Sequence, residues 1–183
     1  MFVHRILFFL IIVFIFNFFS SSAIACFSIT DDLNSPNPVI NADFNILPDV
    51  APFTQCWKGA IRIRSSRNSW RLIANRTGPN PISVDGDPSE NVQAKDITLD
   101  FEVKNFGSAP PNGTILVSPF SSSTNLSSIQ YGTLVLSGID RTGNCNPSNP
   151  NFYKLTKTLC LFNDFVFNIG NYNGQLSFLL VAP

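Results

Sequence analysis

The sequence predicts an all-β protein, an immunoglobulin-like β-sandwich of about seven or more short antiparallel strands. Three observations lead there. Apolar residues recur with a period of two, most clearly where Ile97, Leu99, Phe101 and Val103 alternate with Thr98, Asp100 and Glu102. Connectors rich in Gly, Pro, Asn and Ser punctuate the chain, with 13 prolines and 10 glycines in 183 residues. No segment shows a helical period, and Glu is reduced to Glu90 and Glu102, which argues against a helical bundle. A face of apolar residues on each strand calls for a second sheet to cover it.

In chain order, Met1 to Arg5 carry the early positive charge, and Ile6 to Phe19 are apolar except for Asn17. Ser20 to Ser22 then lead to Ala23-Ile24-Ala25. That order is the pattern of a secretory signal peptide, residues 1–25, with the mature chain starting at Cys26. An uncleaved anchor is the plain alternative, although the run falls short of the roughly 20 residues that span a bilayer. A Cys directly after a small residue also admits a lipid-modified bacterial lipoprotein. No other run is long enough to span a membrane, so the expected location is secreted or cell-surface.

From Cys26 to Cys56 the chain is rich in Pro, Asn and Asp, an arm or a set of edge segments ahead of a sandwich domain over 57–183. Ile61 and Ile63 alternate with Arg62 and Arg64, a polar turn follows over Ser65–Ser69, and Trp70, Leu72 and Ala74 alternate with Arg71, Ile73 and Asn75. This reads as a hairpin with one apolar face. A loop is expected over Thr77–Asn91, then the strand through Ile97–Val103. Further strands are expected at Thr114–Ser118, Tyr131–Ser137, Leu159–Phe167 and Gln175–Val181, with a turn of helix admissible in Asn125–Gln130.

Four cysteines remain in the expected mature chain: Cys26, Cys56, Cys145 and Cys160. An even number in an exported protein implies two disulfides, and the sequence admits three connectivities. The pairs expected first are Cys26–Cys56 and Cys145–Cys160, each closing a moderate loop and contributing roughly 3 kcal/mol. Acylation of Cys26 would leave an odd thiol. Zinc-type spacing is absent, so no metal and no cofactor is expected.

The only histidine is His4, inside the expected signal peptide. Without an imidazole, Ser-His-Asp and Cys-His catalysis are excluded. Carboxylate chemistry is left, but Asp31-Asp32 and Asp85-Gly86-Asp87 lie in turn-like settings, and a calcium site on Asp85, Asp87 and Glu90 competes with solvated turns. The chain is read as a non-enzyme. Lys and Arg balance Asp and Glu at 12 each, too little charge for a nucleic-acid binder or an acidic tail.

The positive charge is nevertheless local. Lys58, Arg62, Arg64, Arg67, Arg71 and Arg76 lie in one segment without an acid, a candidate stripe for the carboxylates or phosphates of a surface polymer. The competing expectation pairs Arg62 and Arg64 with Asp100 and Glu102 across the sheet. Trp70 falls in phase with the core, and Trp57 is expected buried, as a disulfide cover, or exposed as a stacking platform for a sugar. Sequons occur at Asn75, Asn112 and Asn125.

The strand Trp70-Arg71-Leu72-Ile73-Ala74 resembles the first motif of the WxL surface domain. The ending Phe167-Asn168-Ile169-Gly170-Asn171-Tyr172-Asn173-Gly174-Gln175-Leu176-Ser177-Phe178-Leu179-Leu180 is similar to that family's last hairpin, with Phe178-Leu179-Leu180 in place of the second Trp-x-Leu. The resemblance covers Ile61–Pro183, with Trp70, Leu72, Phe178 and Leu180 at the motif positions. It implies a cell-surface sandwich of Gram-positive bacteria held non-covalently to peptidoglycan. The alternative is a subunit of a pilus-like or spore-coat-like fibre, in which the Pro-rich arm pairs with a neighbouring copy.

Overall fold

The computed structural model describes residues 26–32, 40–46, 53–163 and 167–183. The expected signal peptide lies outside them. Strands run over Phe27–Asp31 (β1), Ile40–Ile46 (β2), Phe53–Ser65 (β3), Trp70–Val84 (β4), Ile97–Phe106 (β5), Thr114–Leu116 (β6), Thr124–Asn125 (β7), Thr133–Gly138 (β8), Phe152–Asn163 (β9) and Gly170–Val181 (β10). They form two five-stranded antiparallel sheets, ordered β1-β3-β9-β5-β7 and β2-β10-β4-β8-β6. No helix among the described residues is long and apolar enough to cross a membrane.

The period of two decides which side chains meet. Ile61 and Ile63 of β3, Ile97 and Leu99 of β5, and Leu155, Leu159 and Leu161 of β9 are buried from the first sheet. Trp70, Leu72 and Ala74 of β4, Leu136 of β8 and Leu176 of β10 are buried from the second, and all belong to one core. Trp70 and Tyr153 join the sheets, their rings 5.9 Å apart.

Several expectations need correction. β3 and β4 are not a hairpin: β3 pairs with β1 and β9, whereas β4 pairs with β10 and β8. Their alternating faces are both apolar, as read, but the turn at 66–69 carries the chain from one sheet to the other. The stretch expected as a loop from Thr77 continues β4 to Val84, and register shifts in the β10 ladder fall opposite Pro79–Pro81, where a regular ladder lacks donors. β9 begins at Phe152, seven residues before the expected strand. The boundary at 56/57 falls inside β3, and the Pro-rich segment supplies β1 and β2, each at an edge of its sheet and paired within the chain. Leu126–Ser128 do form a short turn of 3-10 helix.

The disulfides are also corrected. Cys56 and Cys160 are register partners on β3 and β9 with Cα atoms 4.1 Å apart, and they are bonded. Cys26 bonds Cys145, 119 residues away. The pairing of β3 with β9 sets the first bridge, and the fold of the β8–β9 loop over the end of β3 sets the second.

Candidate functional site

The outer face of the first sheet carries the candidate site. Arg62 of β3, Lys154 of β9 and Lys104 of β5 are register neighbours, so three cations stand in one row across three strands. The adjacent row holds Phe152 opposite Phe106, whose rings stack at 4.8 Å and 11°. Phe106 is 40% exposed, and the Arg62 guanidinium lies 5.0 Å from the Phe152 centroid. Aromatic faces beside cations suit a ligand that offers both a ring to stack and an anion to pair.

Acids pair with the row. Asp32, just after β1, meets Lys154 at 2.8 Å and Arg62 at 3.4 Å, and Glu102 meets Lys104 at 2.8 Å. The expected cross-strand pairing of Arg62 and Arg64 with Asp100 and Glu102 is thus replaced by other partners. Asp32 stands between two cations, and Glu102 pairs two residues along its own strand. Burial raises the Asp32 carboxyl, but Lys154 and Arg62 outweigh it and hold the group below its ordinary value. Lys104 lowers the exposed Glu102 in the same direction.

The expected stripe comes apart in three dimensions. Arg64 is buried, its guanidinium donating to the Pro147 carbonyl at 2.8 Å, the Asn149 carbonyl at 3.1 Å and Thr30 Oγ1 at 3.3 Å. It pins the loop between β8 and β9 over the end of β3, beside the Ser65–Thr142 hydrogen bonds and the Cys26–Cys145 bridge. Arg76 is half-buried and donates to the Ile129 and Gly78 carbonyls. Arg67 and Arg71 are exposed but stand off the outer row, Arg67 in the β3–β4 turn and Arg71 on the second sheet. Lys58 is exposed and shares the outer face two rows from Arg62.

The motif residues face inward: Trp70 and Leu72 are wholly buried, and Phe178 and Leu180 pack partly buried against the core. Trp70 Nε1 donates to the Asp140 carbonyl at 3.0 Å. Trp57 is half-buried beside Lys157. Asp87 caps a 3-10 turn by accepting from the Ser89 amide at 2.8 Å, and those Ser89 contacts lower its carboxyl. Among the described residues no three His, Cys, Asp or Glu side chains converge as a metal site would need.

Lys104 and Lys154 lie far along the chain from the acid-free segment Lys58–Arg76. Register brings them to Arg62, and no spacing along the chain reports it. No family model, no curated protein and no solved structure matches this chain.

Proposed function

We propose that the chain is an exported, non-enzymatic sandwich of immunoglobulin-like type that contacts an anionic envelope polymer through the outer face of its first sheet. The observation that carries this reading is the Arg62–Lys154–Lys104 row flanked by the Phe106–Phe152 stack. Cations answer carboxylate or phosphate groups along a polymer, while an exposed ring stacks on a sugar. The two disulfides fit an oxidising compartment. The WxL resemblance points in the same direction, toward peptidoglycan as the polymer.

The test is co-sedimentation with isolated cell envelope. Lys104→Glu combined with Lys154→Glu is expected to weaken binding at least tenfold at low salt, with the difference shrinking as salt rises and the thermal midpoint moving little. Phe106→Ala is expected to weaken binding with less dependence on salt. Retained envelope binding in the folded double variant overturns the reading.

A further inference from the structure

Lys157 is the chemical anomaly of the core. It lies on β9 in phase with Tyr153, Leu155, Leu159 and Leu161, so the alternation that buries those residues buries it as well. It is wholly buried, and its Nζ has no hydrogen-bond partner among the described residues. Its register neighbours are Gly59 on β3 and Phe101 on β5. The ring of Phe178, from the opposite sheet, lies 5.2 Å from Nζ, and that of Trp57 lies 5.8 Å away.

Gly59 makes this arrangement possible. A Cβ there would run into the indole of Trp57 and stand 3.2 Å from Lys157 Cε, so the missing side chain is the notch through which the half-buried indole lies across the lysine stem. An ammonium here gains attraction from two aromatic faces, but it lacks the acceptors that water would supply.

The charged groups around it do not supply them either. Asp32 acts on Lys157 through space but is engaged by Lys154 and Arg62. Lys58 and Arg62 of β3, Asp100 and Glu102 of β5, and Lys154 of β9 alternate to the outer face. The stretch of β10 around Phe178, Ser177–Val181, has no titratable side chain, and the acid of β2, Asp43, stands opposite Asn173 in the register.

We propose that Lys157 is a built-in release point: when its amine takes up a proton, the β3–β9 segment beneath Trp57 opens locally so that the ammonium reaches water. Burial lowers the Lys157 amine to about 7 despite the opposing pull of Asp32. In the open state the amine regains an ordinary value of about 10.4. Opening is therefore rarest above pH ~10, becomes more frequent as pH falls toward about 7, and levels off below that, a span of up to about 10³-fold. At neutral pH the latch is near its loosest, and alkali closes it.

The experiment is amide hydrogen exchange by mass spectrometry on the full disulfide-bonded protein from pH 6 to 10, with rates normalised for intrinsic exchange. In peptides spanning 55–61 and 154–161, the opening constant should fall by about 10²–10³-fold between pH 7 and 10. Peptides from 70–74 should change far less, and Lys157→Met should flatten the profile at the closed level. A flat wild-type profile, or a pH response equal in both sheets, overturns the proposal. If Lys157→Met does not fold, the Lys157 13Cε resonance of the wild-type protein decides: titration near 7 supports the latch, and titration above about 9.5 overturns it.

Discussion

Trp70 and Gly138 are register partners on β4 and β8, and the indole fills the space in which any side chain at position 138 would stand. The joint between the sheets, where Trp70 also meets Tyr153, therefore depends on a residue with no side chain. Gly138→Ala is expected to cost about 1–3 kcal/mol or more in denaturant unfolding, because the indole has to leave its rotamer. Gly174→Ala is the control. Nothing lies closer than 3.6 Å to a Cβ there, and its effect should stay within about 1 kcal/mol.

Arg64 is expected to behave as a structural residue. Arg64→Met strands the carbonyls of Pro147 and Asn149 and should cost about 2–4 kcal/mol, with faster proteolysis in the loop at 142–150. Arg64→Lys should recover little, because one ammonium cannot reproduce the guanidinium fork. Arg67→Ala and Arg71→Ala, at exposed positions, should move stability by less than about 0.5 kcal/mol.

On β5 the burial is graded. Leu99 is wholly buried while Phe101 is half-buried against Phe120, edge to face at 5.7 Å. Leu99→Ala should thus cost about 2–5 kcal/mol. Thr98→Ala, on the outer face with one hydrogen bond to the Cys160 carbonyl, should cost less than about 1 kcal/mol. Equal costs on the two faces would contradict the layer assignment.

The Asp32 pairs give an acid limb to stability. The carboxyl is held below its ordinary value, so its contribution is complete above about pH 4 and is lost as pH falls through the lowered value. Asp32→Asn is expected to lower stability by less than about 1 kcal/mol at pH 6, with the difference shrinking as pH falls below about 4 and in high salt. A difference that stays the same as pH falls and salt rises would assign the loss to packing.

Strand-level features were legible because period-two alternation is local. The faces of Ile61 and Ile63, of Trp70 and Leu72, and of Ile97 and Leu99 follow from it directly. Which strands pair was not legible. The turn at 66–69 resembles a hairpin locally, and only the competition of β1 and β9 for β3 sends β4 to the other sheet. Arg64 alternates with Ile63 as an outer-face residue should, yet a loop some 80 residues later covers it. Lys157 carried a readable signal, since Tyr153, Leu155, Leu159 and Leu161 bracket it at even spacing. A lysine in an apolar phase runs against the usual exposure of charged side chains, and the alternation through it marks β9 as starting ahead of Leu159.

Non-reducing peptide mapping should recover Cys26 with Cys145 and Cys56 with Cys160. Removing either bridge by paired Cys→Ala substitution should cost about 2–5 kcal/mol, since each closes a loop of more than 100 residues, 119 and 104 apart in sequence. Recovery of Cys26 with Cys56 would overturn the topology at the β3 end.

The two bridges interleave along the chain, with Cys56 inside the span of the first and Cys145 inside the span of the second. A single proteolytic nick anywhere between Cys26 and Cys160 therefore leaves the fragments covalently one piece, and between Cys56 and Cys145 they are held twice over. Nearest-neighbour pairing would let one cut in that middle stretch release two separate halves. In surroundings where proteases act and no chaperone refolds the damage, this chain can be cut once in an exposed turn and still keep both sheets tethered at molecular distance, so that re-closure stays intramolecular.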